Sequence, residues 1–416
     1  MQVNSGMTET VQQVEIEDRI SRLQQLMGAA GIHAFLVTQH VDLYYFTGSM
    51  QAGYAFIPRE GAAVFYVRRS LERAIQESAV QVQPLHSLRH FRAQLEQDHP
   101  AVFGSGNGSG AQAVKIATEM DVLPAATFAK LAEVLAGSSN DCLLVDGSAL
   151  VRRVRMVKSP WEIGRIESAA QVVAEALEAA VGIIKEGLTE LELMARIEYE
   201  IRIRGHIGLM RTRSYNMEIS TGMLGSGAAA AVPSAFDGPA GGLGLGPAFP
   251  QSTSRKSIMR GEPILIDIGC CIDGYIIDQT RTAVIGSLPD DLAEAYAQAE
   301  LIIRQSEALM RPGTSSESIY AAALKQAADA GLADHFMGYG SNQVKFLGHG
   351  IGLEVDEWPV LAKGFSDPLE AGITLAVEPK FTFPGRGVVG IENSYLITDT
   401  GCRPLTRSPE GLIVIP

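Results

Sequence analysis

The 416-residue sequence has no run of about 18 consecutive apolar residues, the length a helix needs to cross a bilayer. No membrane span is expected. The first twenty residues are polar and acidic, without the basic start and apolar core of a secretory signal. Cysteine is scarce: the four are Cys142, Cys270, Cys271 and Cys402, and their spacing is not that of metal ligands. A reduced, cytoplasmic setting is the simplest expectation. Basic residues are also short, 34 Lys and Arg against 47 Asp and Glu, for a formal net charge of −13. No basic stripe is left to release counterions from a phosphate backbone, so nucleic acid is not an expected partner.

What is present suits a folded protein of more than one core: 46% hydrophobic and 19% charged residues over 416 positions. We expect two domains, residues 1–153 and 154–416. The first alternates short apolar runs ("AFLVTQ", "YAFIPREGAAVFYV", "PAVFG", "CLLVDG") with helical stretches, the pattern of an α/β domain with a mixed sheet. "GSGNGSG" (104–110) follows the expected strand "PAVFG". It lacks the Lys-Ser/Thr ending of a phosphate loop and reads better as a surface turn.

The second region opens on Ser159-Pro160-Trp161-Glu162, a capping box with proline at the first helical position, which predicts a helix to about Lys185. Gly187 ends it, and Thr189 with Glu192 caps the next. A shift of 126 positions lays Gly313 on Gly187, Ser315 on Thr189, Ile319 on Leu193 and Ala321 on Ala195. The repeat predicts a duplicated unit of two helices followed by strands, wrapped around a shared sheet.

"IDIGCCIDGYIIDQTRT" (266–282) reads as two strands turning on Asp273-Gly274. That turn sets Thr280 opposite Asp267 and Asp278 opposite Gly269, so Asp267, Asp278 and Thr280 share one face. Buried carboxylates need a cation or several donors. Two on one face invite a divalent ion, with the Thr280 hydroxyl placed to orient a ligand oxygen. Further acids interrupt later apolar runs: Glu378 after "ITLAV" and Glu392 in "GIENSYLIT", while His349 stands between Gly348 and Gly350. Two aspartates, two glutamates and one histidine form an oxygen-rich set suited to Mn²⁺, Co²⁺, Fe²⁺ or Zn²⁺ in a two-metal site.

These motifs carry a resemblance. "IDIG", "GYIIDQTRT", "GHGIGLEV" and "VEP" hold Asp267, Asp278, His349, Glu378 and Glu392 in the ligand order of the pita-bread metallopeptidases: Xaa-Pro dipeptidase, aminopeptidase P and methionine aminopeptidase. Residues 1–153, with "YYFTGS", and the linker "VRMVKSPWEI" that follows them resemble the amino-terminal domain of the creatinase and prolidase branch. The resemblance implies an α/β (α+β) chain, with a mixed-sheet amino-terminal domain before a pseudo-twofold pita-bread catalytic domain. It implies two divalent ions per subunit, manganese foremost, with Asp278 and Glu392 bridging. It further implies a metal-bridging hydroxide that attacks an amino-terminal or Xaa-Pro peptide bond, Glu378 as the proton shuttle, and a homodimer in which "YYFTGSMQAGYAF" helps close the partner's pocket.

The substrate side departs from the family. Asp356 stands where prolidases carry a second histidine, in "GHGIGLEVDEWP". An ungapped count puts Pro250 at another family histidine, and Gly390 replaces an arginine before the last "IE". Asp356 is a candidate to bind a substrate amine. Arg211, Arg213, Arg255 and Arg386 are candidates for an acidic group, and the Gly- and Pro-rich stretch 233–251 is expected to loop over the pocket. Two other readings stay open: a metal-dependent C–N hydrolase or lyase acting on a small non-peptide metabolite, and a non-catalytic binding protein.

Overall fold

A computed structural model describes residues 5–104, 113–137 and 141–416, with side chains from residue 13 onward. The chain forms two compact units, residues 1–155 and 156–416.

In the first unit six strands form one mixed sheet. They are β1 (Ala34–Val37), β2 (Gly53–Pro58), β3 (Val64–Val67), β4 (Gln81–Pro84), β5 (Val114–Thr118) and β6 (Cys142–Asp146), in the order β4-β3-β2-β1-β5-β6. β1 pairs antiparallel with β2 and parallel with β5. β1 and β3 are buried at every position, which explains their unbroken apolar runs. One expectation fails. "PAVFG" is not a strand, because Pro100–Phe103 forms a short helix with Pro100 at its first position. Proline has no N–H for a ladder, and its fixed φ suits a helix start. "GSGNGSG" beyond Gly104 lies outside the described residues. In the stretch "YYFTGSMQAGYAF", Tyr45, Phe46, Ala55 and Phe56 are buried, while Tyr44, Met50 and Tyr54 are half-buried and Ala52 is exposed.

The second unit carries the duplication. Helices Pro160–Val181 and Glu190–Ile203 precede strands β7 (Gly222–Ser226), β8 (Ile264–Ile272) and β9 (Tyr275–Ile285). Helices Asp290–Leu309 and Ser316–Asp329 precede β10 (Gly348–Gly350), β11 (Thr374–Val377), β12 (Lys380–Phe383), β13 (Gly387–Gly390), β14 (Asn393–Ile397), β15 (Cys402–Pro404) and β16 (Ile413–Ile415). The correspondence extends to the backbone. Gly187 and Gly313 both have φ near +90, at +86 and +89. Thr189 and Ser315 each cap a 14-residue helix by accepting a hydrogen bond from the backbone N–H three residues on. Both capping boxes expected from the sequence form, at Ser159–Glu162 and Thr189–Glu192.

The strands fall into two four-stranded sheets, β16-β9-β8-β7 and β10-β11-β14-β15, with β12-β13 as a separate hairpin. An antiparallel bridge between Thr280 and Glu392 joins the two halves. A large core lies between the second helix pair and its strands, around Ile302, Ile319, Leu347, Leu375, Phe381 and Tyr395. A buried arginine locks the junction: Arg281 donates to Thr280 O, Glu392 O, Ser408 O and Asn393 Oδ1.

Candidate metal centre

Each side chain of the expected set reaches the junction by a local rule. The β8–β9 hairpin turns on Asp273 and Gly274, whose φ values of +51 and +90 are those a primed turn needs. Its register sets Thr280 opposite Asp267 and Asp278 opposite Gly269, so the three polar residues share a face. His349 sits in the middle of β10 opposite Ala376. Glu378 follows the last residue of β11, and Glu392 precedes the first of β14. The first half of the duplicated unit thus supplies two aspartates, and the second supplies a histidine and two glutamates.

The ligand atoms fall into two overlapping groups within 4.8 Å: Asp278, His349 and Glu392, and Asp267, Glu378 and Glu392. Glu392 belongs to both and is fixed by the Thr280 hydroxyl, which donates to its Oε2 at 2.7 Å. His349 Nδ1 lies 3.0 Å from Gly350 O, so an Nδ1–H there leaves the Nε2 lone pair facing the acids. Nε2 is 3.7 Å from both Asp278 Oδ2 and Glu378 Oε1.

The electrostatics show a shortage of positive charge. Burial raises Asp267 to about 6 and Glu378 to about 7, against the pull of Lys380 and with Glu392 adding repulsion. Asp278 is pushed well above the carboxylate range by burial and by Glu392. Burial disfavours a charged His349, yet Asp356, Asp278, Glu378 and Glu392 outweigh it and lift the imidazole to about 10. A divalent cation held by Asp278, His349 and Glu392 offsets the repulsion on Asp278 and the proton affinity of His349 directly, and adds positive charge beside Asp267 and Glu378. The Asp278–His349–Glu392 group therefore fits an ion in donor type, convergence and charge.

One residue of the centre escapes sequence reasoning. Lys380, fully buried on β12, places its Nζ 2.6 Å from Glu378 Oε2, 3.0 Å from Asp267 Oδ2 and 3.2 Å from Glu392 Oε2. Gly390 pairs with it across the β12–β13 hairpin. A Cβ at Gly390 would lie 2.7 Å from Lys380 Cγ and 2.6 Å from Pro379 O. The glycine noted as a missing arginine is the space that the lysine stem fills. A lysine in "VEPKF" facing a glycine ten residues later was the available signal, and only the hairpin register gives it meaning.

On the substrate side, Asp356 lines the same cavity with its Oδ1 3.7 Å from His349 Nδ1. It holds a positive φ of +67, and burial raises its carboxyl. Pro250 is exposed and does not line this cavity, so the ungapped count does not carry into space. Residues 236–240 of the irregular stretch 233–251 form that wall instead. The four candidate arginines stay away from it. Arg386 pairs with Asp291 at the surface, Arg213 lies 3.6 Å from Glu354, Arg255 is exposed, and Arg211 is not among the lining residues. The charged residues of the wall are six acids and His349. A cavity of about 870 Å³ adjoins it past Phe236–Ala240 and Phe346, with Lys345 in its lining.

A duplicated helix-pair-and-strand domain with Asp, Asp, His, Glu and Glu converging from both halves forms a candidate metal centre of the kind a metal-dependent hydrolase uses. Comparison with known proteins gives the family. The model of metallopeptidase family M24 matches residues 164–399, and that of the creatinase/prolidase N-terminal domain matches residues 19–157. The chain belongs to metallopeptidase family M24 and is a hydrolase of the peptidase type, with the pita-bread fold. It is similar to a Xaa-Pro dipeptidase of Pyrococcus horikoshii, 26% identical over 96% of this chain and 99% of that protein. It is also similar to a probable dipeptidase, PepE, of Mycobacterium bovis, 28% identical over 93% of each. Among solved structures, the prolidase from Pyrococcus horikoshii matches with a TM-score of 0.76 at 26% identity, over 95% of this chain and 100% of that one.

Proposed function

We propose that this protein is a metal-dependent peptidase that cleaves amino-terminal or Xaa-Pro peptide bonds and prefers peptides longer than two residues. The observation that carries the preference is the cavity wall beyond the metal-binding set, where the charged residues are Asp237 and Asp356, with no arginine or lysine among the described lining residues. A protonated substrate amine is attracted there, and Asp356 is the acid best placed to receive it. The free carboxylate of a dipeptide would lie among like charges, which are costly at short range in a partly desolvated site. In a longer peptide that carboxylate moves out towards the adjoining 870 Å³ cavity and Lys345.

Asp278, His349 and Glu392 would hold the ion, which supplies Lewis-acid polarisation of the carbonyl and an acidified water. Of the two residues expected to bridge a pair of ions, Glu392 belongs to both ligand groups and Asp278 to one, and the Lys380 ammonium bears on the group that Asp278 does not join. Glu378 presents Oε1 to the cavity while Lys380 anchors Oε2, which suits it to take a proton from water and return it to the leaving nitrogen. Thr280 holds Glu392 in register. A homodimer and a cytoplasmic location complete the reading. Among the described residues no helix is long and apolar enough to cross a membrane.

The test is a matched series of Xaa-Pro dipeptides and Xaa-Pro-initiated tri- to pentapeptides with a Mn²⁺-loaded sample. We expect kcat/KM to rise by about tenfold or more on extension, as the loss of one close like-charge contact implies. Dipeptide turnover equal to that of the extended peptides would overturn the preference. Hydrolysis of small non-peptide amides with no peptide cleavage would overturn the peptidase reading in favour of a C–N hydrolase.

A further inference from the structure

The carboxylates of the second ligand group already have a cation. Asp267, Glu378 and Glu392 converge closely enough to hold an ion, and the same three residues surround Lys380 Nζ at 3.0, 2.6 and 3.2 Å. A first-row divalent ion lies about 2.0–2.2 Å from carboxylate oxygens, so one held by these three would fall nearly on the lysine nitrogen. An ammonium and a divalent ion cannot share that position.

Lys380 is fixed there rather than passing through. Its side chain is completely buried. The stem crosses the face of Gly390, where a Cβ would approach Lys380 Cγ to 2.7 Å and Lys380 Cα to 2.8 Å. An ammonium has three N–H donors, and three carboxylates receive them. No donor remains for substrate. Lys380 is thus a positioning residue that neutralises the acids and aims Glu378.

We propose that the Lys380 ammonium takes the place of one of the two ions implied by the fold, leaving a single divalent ion at Asp278, His349 and Glu392. The inference rests on the reading of this site as a metal centre. It changes the chemistry available there. A lone ion can bind a water terminally but has no second ion with which to share it, and the lysine contributes charge without an open coordination position.

The experiment counts metal in the full-length protein, stripped with chelator, reloaded with excess Mn²⁺ and desalted. We expect one equivalent per chain, with the six-line paramagnetic resonance spectrum of an isolated Mn²⁺. In Lys380→Ala, which empties the second group, we expect two equivalents and the broadened spectrum of a spin-coupled pair. Two equivalents with a coupled spectrum in the unmodified protein would overturn the proposal and leave the metal-centre reading intact. No bound metal at all would overturn that reading and this proposal with it. A folded Lys380→Ala that still binds one equivalent would also count against the lysine as the substitute cation. The measurement on the unmodified protein stands even where the variant fails to fold.

Discussion

At the scale of residues, the centre of the site is Glu392, shared by both ligand groups, bonded to Thr280 and 2% exposed. Around it the acids repel one another until a cation arrives, which separates the role of Asp278 in the loaded protein from its role in the stripped one. Its carboxyl is pushed well above the usual range by burial and by Glu392, so its charge is unfavourable without metal. We predict that chelated Asp278→Asn is at least as stable as the chelated parent. Saturating Mn²⁺, at about 100 times its dissociation constant, should stabilise the parent by about 2.7 kcal/mol and the variant by much less. Melting curves of both proteins with EDTA and with Mn²⁺ check this, and equal metal-induced shifts would remove Asp278 from the ligand set. Most of this set is legible in the sequence, because acids interrupting apolar strands have few other physical explanations. Lys380 is not. A lysine in "KFTF" reads as an ordinary solvent-facing charge until the hairpin brings Gly390 over its stem.

At the scale of elements, two buried polar anchors hold the frame that aims the site. Glu190, the first residue of its helix and fully buried, accepts from Ser226 N and Oγ through Oε1 and from Ser254 N and Oγ through Oε2. It ties the end of β7 to the chain entering β8. Glu190→Ala leaves two buried amides and two hydroxyls without this acceptor, so we predict a loss of about 3 kcal/mol or more, read by urea unfolding. His206 is the second anchor, accepting from Cys271 N through Nδ1 at 2.9 Å. Burial holds its pKa below 6.5, and the bond needs an unprotonated Nδ1. A group with a depressed folded pKa of this kind is protonated first in the unfolded chain. Its contribution is therefore complete above pH 6.5 and lost as the pH falls from there through the lower folded pKa. We predict that His206→Asn, whose amide oxygen can accept the same bond, loses less stability between pH 7.5 and 5 than the parent. Identical slopes would show that His206 plays no part in the acid response. Elements with paired local signals, the Asp-Gly hairpin and the capping boxes, are legible in the sequence to within a few residues. "PAVFG" is ambiguous by pattern, because an apolar run of four has no period, and Pro100 is the one local signal for its helix start.

At the scale of the whole molecule, assembly turns on where large apolar side chains stay exposed. In the aromatic stretch of the first domain Tyr45 and Phe46 are no more than 1% exposed, which leaves, of its large apolar side chains, only the half-buried Tyr44, Met50 and Tyr54 to meet a partner. A dense group of such side chains lies on irregular segments of the second unit. Ile207, Leu209, Tyr215, Leu243, Leu245 and Phe249 are all at least 36% exposed, and Tyr215 reaches 91%. Met210 and Ile219 bridge within the first of these segments, and Ile219, Leu245 and Phe249 line one concavity, so the two segments adjoin. Monomers rarely leave so many large apolar side chains together in water. The second segment also forms the wall of the metal-centre cavity through residues 236–240, so covering it would narrow the approach to the site. We therefore predict a homodimer in which this surface is buried, with a solution mass about twice the 44.5 kDa of one chain. Tyr215→Asp combined with Leu243→Asp should shift sedimentation towards the monomer, because each charge would have to be buried unpaired at the contact. A parent protein that sediments as a single chain at micromolar concentration would rule the dimer out, and the apolar rim would then have to serve the peptide substrate itself.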